Sequence, residues 1–254
     1  MTVSAIVLCG GLSSRMGQLT SNTPKSMLKV NKRPIIWYTI GFLYKNGIKK
    51  FIFPLGYKGE KIKKYLIKEF SQCDIDLIFC DTGKNTPIHL RIKKVFKYLE
   101  DNTDFVLINS DTIFQFNLEN MYKTHMKNQD DITLSSVPVT SPWGIITTKD
   151  NNVVGFKRDL KVKNLGIISN RKVRGEVYSG LCIIKQKCLN SFDWKNCCDF
   201  ETYLFNKYIQ KGSVSQFQIN GTWYPIDTPK NLDAINSNIS NILGGKADKY
   251  FQIT

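Results

Sequence analysis

The sequence predicts an α/β protein: one Rossmann-like mixed sheet, mostly parallel and flanked by helices, with a small antiparallel β insertion. Three observations carry that prediction. Short apolar runs alternate with amphipathic stretches of helical length through the first half, and this strand–helix–strand pattern, repeated three times, argues a parallel sheet with right-handed crossovers. The rhythm then changes, and two short apolar runs flank Asp150-Asn151-Asn152 in the manner of a hairpin. With 254 residues, 42% of them hydrophobic, the chain is long enough for one sizeable core.

Strands are expected at 4–9, 49–55, 75–80 and 104–109, each short, apolar and rich in Ile, Val or Phe. Between them, 34–46 reads as a helix closed by Gly47. The stretch 59–70 carries Ile62, Tyr65, Leu66 and Phe70 at helical spacing, and 86–98 does the same with Ile88, Ile92, Val95 and Phe96. In the second half the strands are 132–137, the hairpin arms 145–149 and 153–157, then 176–185 and 214–219. Helices follow at 199–210, closed by Gly212, and at 230–243, ending at Gly244-Gly245. No linker, repeat or low-complexity segment interrupts the chain, so one domain over 1–245 with a loosely held tail at 246–254 is expected. In parallel sheets the site lies beyond the carboxyl ends of the strands, which directs attention to the residues after Cys9, Leu55, Cys80 and Asn109.

Composition excludes several function classes. Aromatic and branched residues run throughout, against disorder. No stretch approaches the roughly 20 apolar residues of a spanning helix. The first apolar run, 5–9, is too short for a signal peptide and lacks a basic lead-in, so a cytoplasmic protein with no membrane partner is expected. Seven cysteines without a Cys-x-x-Cys pair predict free thiols, mostly small core residues. The formal charge is +15, but Lys49-Lys50, Lys63-Lys64 and Lys93-Lys94 fall on different elements. Solvated lysine faces are therefore expected rather than a nucleic-acid stripe, and the excess field suits polyphosphate substrates. His89 and His125 fall on predicted helices without a partner motif and receive no role.

The first strand runs straight into Leu8-Cys9-Gly10-Gly11-Leu12-Ser13-Ser14-Arg15-Met16-Gly17, followed by Pro24-Lys25. Glycines directly after a strand let backbone N–H groups approach phosphates or a base without Cβ interference. An arginine in the same loop supplies a planar, always-charged fork for phosphate oxygens, and a lysine supplies a point charge.

Residues 8–27 (LCGGLSSRMGQLTSNTPKSM) resemble the signature loop of nucleotidyltransferases that activate sugar 1-phosphates. The similarity continues through Gly56-Tyr57-Lys58 and Asp111 to Gly221-Thr222-Trp223-Tyr224-Pro225-Ile226-Asp227-Thr228-Pro229, which resembles that family's Trp-x-x-x-Asp-Thr segment. Within the family, glucose-1-phosphate cytidylyltransferases look nearest, through Gly56-Tyr57-Lys58-Gly59, Asp81-Thr82-Gly83 and Arg91-Ile92-Lys93-Lys94-Val95. The resemblance implies that Leu8, Cys9, Gly10 and Gly11, with Asp81, Gly83 and Ser110, bind the nucleotide. It implies that Arg15 and Lys25 bind the triphosphate and stabilise charge at the α-phosphorus, and that Asp111 and Asp227 share Mg²⁺. The partners implied are a nucleoside triphosphate, CTP favoured, and a phosphorylated small-molecule acceptor, in nucleotide-sugar supply for surface polysaccharide; a homo-oligomer is allowed. The physics agrees, because nucleotidyl transfer needs positioning and charge neutralisation more than a covalent partner.

Asp111 could instead cap the following turn, and Asp227 could initiate the last helix. The usual Gly-Thr-Arg-Leu is Ser13-Ser14-Arg15-Met16 here, a form shared with relatives that use other acceptors. The usual Phe-x-Glu-Lys-Pro becomes Phe156-Lys157-Arg158-Asp159-Leu160, which puts Asp159 at the lysine position; Lys157 or Arg158 is expected to hold the acceptor phosphate, the alternatives being a different holder or a surface hairpin with a solvated charge run. The base loop, Asp81-Thr82-Gly83-Lys84-Asn85-Thr86, lacks the Leu-Gly-Thr-Gly-Gly form of thymidylyl and guanylyl enzymes. Tyr178, Ser179 and Gly180, where the family has Asn-Ala-Gly, and Glu201 complete the expected acceptor set; Tyr178 and Ser179 read equally well as strand residues with an outward face, and an N-cap role accounts for Asp199. The other classes considered are a glycosyltransferase of related fold, for which 109–113 lacks the Asp-x-Asp metal motif, a charge-driven nucleic-acid binder, and a catalytically silent relative.

Overall fold

Side chains alternate across the strands and so feed two separate apolar clusters. In the first strand, β1 (Ser4–Leu8), Ala5 and Val7 enter one cluster while Ile6 enters the other. The same alternation runs through β2 (Lys50–Leu55), where Phe51 and Phe53 oppose Ile52. Strands apolar on both faces need cover on both, and helices supply it. The computed structural model describes residues 3–11, 13–140, 145–149, 152–157, 161–162, 164–168, 171–174, 176–197 and 199–243.

The remaining strands of the main sheet are β3 (Asp76–Asp81), β4 (Asp104–Asn109), β6 (Ile132–Thr140), β7 (Glu176–Lys185) and β8 (Val214–Gln218); β5 (Thr112–Gln115) and β9 (Thr222–Pro225) pair only with each other. The main sheet runs in the order β3-β2-β1-β4-β7-β6-β8. All neighbours are parallel except β7, which runs antiparallel to both β4 and β6. Lys161–Val162 adds a short antiparallel pairing at the end of β6. Register aligns Leu8 with Asn109 and Leu55 with Asp81, so the carboxyl ends of the parallel strands meet along one edge.

On one face lie α1 (Ile35–Lys45), α2 (Gly59–Glu69), α4 (Leu118–Asn128) and α6 (Pro229–Ile242); α3 (Ile88–Val95) and α5 (Phe200–Ile209) cover the other. Pro34 and Pro87 precede α1 and α3, where a missing N–H costs nothing. Asn117 and Asp199 cap α4 and α5 by accepting from Asn120 N and Thr202 N. Thr228 caps α6 in a reciprocal box with Asn231, Pro229 being the first helical residue. The last cap falls on Thr228, so Asp227 is left free of that duty.

The expected hairpin is present as Ile145–Lys149 paired with Asn152–Lys157, and a second, Asn164–Ile168 with Arg171–Arg174, follows it. The boundary at Gly245 and the tail lie outside the described residues. Among the described residues no helix is long and apolar enough to cross a membrane. His125 is fully buried at the far end of the sheet, its Nδ1 2.8 Å from Thr133 Oγ1 and its Nε2 3.6 Å from Asp104 at the start of β4.

The element that matters most for the site is the β5–β9 ribbon. Its antiparallel pairs run from Gln115 with Thr222 to Thr112 with Pro225, and Ile226 N then donates to Asp111 O at 3.0 Å. Phe114 of the ribbon is 1% exposed and stacks on Phe42 of α1 at 5.7 Å. Phe114→Ala should therefore cost about 3–5 kcal/mol of stability. Urea unfolding checks this, and a loss under about 1 kcal/mol would mean that the ribbon is not anchored by that ring.

Candidate active site

The cleft opens where the strand register predicts, beyond the carboxyl ends of β1, β2 and β4. It encloses a cavity of about 480 Å³ between the loop after β1, the loop before α3, and the Asn109–Asp111 turn. Leu8, Cys9, Gly10, Gly11, Arg15 and Lys25 line it, with Ser110, Asp111 and Asp227 opposite.

At its mouth stands one charge cluster. Lys25 Nζ donates to Asp111 Oδ2 at 2.7 Å and to Asp227 Oδ1 at 2.8 Å. The lysine side chain is 9% exposed while the carboxylates are 34% and 40% exposed. Two carboxylates against one ammonium leave a surplus negative charge, and Arg15, with Nη1 3.9 Å from Asp227 Oδ1, partly balances it. Arg15 itself projects into solvent, its side chain 77% exposed. The ammonium sits where the two carboxylates converge, so the pair is already shaped to embrace a cation. Among the described residues no cluster of three or more His, Cys, Asp or Glu exists, so a metal here would take two protein carboxylates and complete its shell from elsewhere.

The floor of the cleft has a different chemistry. Arg91, on the apolar side of α3, is 4% exposed. Its Nη1 donates to Thr82 Oγ1 at 2.6 Å and to Leu55 O at 3.2 Å, and its Nη2 to Lys84 O at 3.0 Å. Burial pulls the Arg91 guanidinium below its ordinary pKa, opposed in part by the negative charge of Asp81. Burial likewise pushes the Cys9 thiol up to about 12, which removes it as a nucleophile. The guanidinium explains two glycines: a Cβ on Gly10 would lie 2.4 Å from Arg91 Nη1, and one on Gly56 would lie 2.3 Å from it and 2.5 Å from Gly10 O. Gly11 differs, since a Cβ there would meet nothing within 4 Å. Its bareness is open to the cleft rather than consumed by packing.

The other expected residues divide. Ser110 lines the cleft, its hydroxyl donating to Leu8 O at 2.8 Å. Asp81 and Gly83 shape the 81–86 loop instead, Gly83 N donating to Asp81 Oδ1 at 2.9 Å with Gly83 at φ +95°. It is their successors Lys84, Asn85, Thr86 and Ile88 that reach the cleft. Tyr178 points its hydroxyl at Cys182 Sγ, 3.3 Å away, and packs edge-on to Phe205; burial first, then Cys182 and Glu201, raises its pKa. The Ser179 hydroxyl is paired with that of Ser135, and its carbonyl accepts from Trp223 Nε1 at 2.8 Å. Gly180, at φ +88°, brings its backbone against Asn109, where a Cβ would lie 2.9 Å from Nδ2. Glu201 is half-buried, and burial, then the charge of Asp199, raises its carboxyl. Lys157 ends its hairpin strand, opposite Ile145. Arg158 and Asp159 lie outside the described residues. Arg91 was the residue without an assigned role; its signal is an arginine three residues after Ile88 and one before Ile92, on the stripe that otherwise reads apolar.

The two glycine environments predict opposite outcomes. Gly56→Ala should lower stability by about 1–3 kcal/mol because the added methyl overlaps Arg91 and the Gly10 carbonyl. Gly11→Ala should unfold at the wild-type urea midpoint. Equal midpoints for all three proteins would contradict the packing of the cleft floor.

The family model for nucleotidyl transferases matches residues 4–240. Among characterised proteins, the chain is 32% identical to the D-glycero-alpha-D-manno-heptose 1-phosphate guanylyltransferase of Aneurinibacillus thermoaerophilus, over 69% of this chain and 74% of that one. It is 24% identical to the glucose-1-phosphate cytidylyltransferase of Salmonella typhimurium, over 89% and 91%. Among solved structures, HddC from Yersinia pseudotuberculosis complexed with GMP-PN shares the fold at a TM-score of 0.66, with 20% identity and coverage of 94% of this chain and 100% of that one. With the fold, the cleft and a match across nearly its whole length in agreement, the chain belongs to the nucleotidyl transferase family.

Proposed function

We propose that the protein transfers a nucleotidyl group from a nucleoside triphosphate, CTP by preference, to a sugar 1-phosphate. The products are a nucleoside diphosphate sugar and pyrophosphate. The observation that carries this reading is the meeting of Lys25, Asp111 and Asp227 at the mouth of a cleft floored by Gly10 and Gly11, with Arg15 beside them. An oxygen of the acceptor phosphate attacks the α-phosphorus in line, and the bond to the departing pyrophosphate breaks. The chain's own contribution is positional and electrostatic. Backbone around Gly10 and Gly11 holds the base and ribose, and Arg15 and Lys25 neutralise the triphosphate. Asp111 and Asp227 would hold Mg²⁺, which when bound would supply positive charge to offset the negative charge of the phosphates. Lys25 is then free to turn to the phosphates, a short movement for a flexible ammonium.

The acceptor side is assigned to the hairpin and to β7. Lys157 and Arg158 hold the acceptor phosphate in place of the usual lysine. Gly180 offers backbone beside Asn109, and Glu201 offers a carboxylate for sugar hydroxyls, with Tyr178 and Ser179 shaping the strand between them. CTP is preferred because the cytidylyltransferase relative aligns over most of both chains. GTP is the second reading, favoured by the higher identity of the heptose guanylyltransferase. The protein would act in the cytoplasm, in nucleotide-sugar supply for surface polysaccharide, as one domain over 1–245 and with assembly into a homo-oligomer allowed.

Pyrophosphate release from CTP and from GTP, each with a panel of sugar 1-phosphates and Mg²⁺, tests the proposal. Wild type should turn over, and Asp227→Ala should lose the activity while keeping its unfolding temperature. Wild-type rates in Asp227→Ala would sink the metal assignment. Arg15→Lys should lower kcat/KM roughly tenfold or more although the charge is kept, because the fork geometry is lost. Gly11→Ala should raise KM for the nucleotide without loss of stability; an unchanged KM would place the nucleotide elsewhere.

A further inference from the structure

The Gly56-Tyr57-Lys58-Gly59 turn after β2 lies beside the cleft, and nothing above gives its side chains a task. We infer that Tyr57, Lys58 and Lys61 form a clasp that holds the 14–24 segment, and Arg15 with it, over the phosphate end of the cleft before any nucleotide arrives. The inference rests on the nucleotidyl-transfer reading for its consequence, but its geometry stands alone. Tyr57 Oη donates to Ser21 O at 2.5 Å, and Lys58 Nζ donates to Ser21 O at 2.8 Å and to Asn22 Oδ1 at 3.0 Å. Lys61 Nζ donates to Asn22 O at 2.7 Å. Two side chains of the turn and one from the first turn of α2 thus converge on two consecutive residues of a distant loop.

That loop needs holding. Between Ser13 and Lys25 the chain forms only a short 3₁₀ segment, Ser14–Thr20, broken at Gly17, with Ser13 itself left-handed at φ +53°. Met16 and Thr20 are its buried residues between 15 and 22, and Arg15 has only the distant contact to Asp227 among its described ion pairs. Without external ties, the backbone that carries Arg15 would be held chiefly through Met16 and Thr20. The clasp is itself anchored on the other side: Tyr57 N donates to Gly10 O at 3.3 Å, and Gly59 N closes the turn onto Gly56 O at 3.0 Å. Lys84 of the 81–86 loop sets its ammonium 5.6 Å from the centre of the Tyr57 ring, a cation–π contact. Tyr57 therefore ties the segment after β1, at Gly10 and Ser21, to the loop before α3, at Lys84. Lys58 sits at φ +50°, where glycine or asparagine is the cheaper choice.

Each of these bonds is exposed and weak alone. Aimed together at two residues they share one ordering cost, and their joint loss lowers the population of the closed loop. Apparent affinity falls in proportion to that population, whereas the rate from the bound state does not change. The test is hydrogen exchange of the free protein, followed by steady-state kinetics with CTP or GTP and the sugar 1-phosphate that wild type accepts. In Tyr57→Phe/Lys58→Met/Lys61→Met, amides of 14–23 should exchange about tenfold faster, while those of Ile35–Lys45 and Asp104–Asn109 keep wild-type rates. KM for the nucleotide should rise about tenfold with kcat within about twofold, and Lys58→Arg alone should behave as wild type. Unchanged exchange at 14–23 would overturn the clasp, and so would a fall in kcat at constant KM. Faster exchange in a protein that no nucleoside triphosphate stabilises would uphold the clasp and overturn the nucleotidyl-transfer reading.

Discussion

Two carboxylates held against one nearly buried ammonium set the terms for the rest of the cleft. Asp111 and Asp227, brought side by side by the β5–β9 ribbon, repel each other. Lys25 Nζ, at 2.7 and 2.8 Å, is the counter-charge that allows the approach. The backbone does the rest. β5 leaves Asp111 immediately after its turn, β9 returns antiparallel beside it, and the bond from Ile226 N to Asp111 O sets Asp227 one residue further on. Thr228 and Asn231 then take over the helix cap, so that the Asp227 carboxylate faces the cleft instead of closing α6. The stack of Phe42 on Phe114 fixes the ribbon to the core, and through it the spacing of the charges.

The sheet was legible in the sequence wherever local pattern and tertiary role coincide. Runs such as 104–109, apolar at every second position and between, announce strands covered on both faces, and Gly47 and Gly212 announce helix ends. The β5–β9 ribbon was not legible. Its strands are four residues long and its pairs lie 107 residues apart at the Gln115–Thr222 end, so no local signal links them. The hairpin at 164–174 escaped for a related reason, because its short arms carry no turn dipeptide of the Asn-Gly type. Asp111 and Asp227 could be singled out from motif resemblance, but their convergence on Lys25 could not, since it is a property of the fold.

The glycines and Arg91 show the same division at smaller scale. Gly10 and Gly11 are adjacent and chemically identical, yet one is spent on accommodating a buried guanidinium and the other faces open space. Only the packing of α3 against the loop distinguishes them. Likewise Asp81 and Gly83 carry the motif of the 81–86 loop but serve its shape, with Asp81 accepting from Gly83 N, while Lys84 to Ile88 present the surface. The charge of +15 finds a local counterpart in Arg15, Lys25, Lys84 and Arg91 around the cleft, as a site for a polyanion requires.

The most direct test of the central claim, that this cleft is a nucleoside triphosphate site, needs no knowledge of the acceptor. Thermal unfolding would be followed with CTP, GTP, UTP, ATP and dTTP in turn, with and without Mg²⁺. A nucleotide at about 100 times its dissociation constant stabilises by roughly 2.7 kcal/mol, a rise of about 5–11 °C for a chain of this size. Such a rise is expected for CTP, or for GTP under the second reading, larger with Mg²⁺ than without. An unfolding temperature that none of the five nucleotides moves would contradict it.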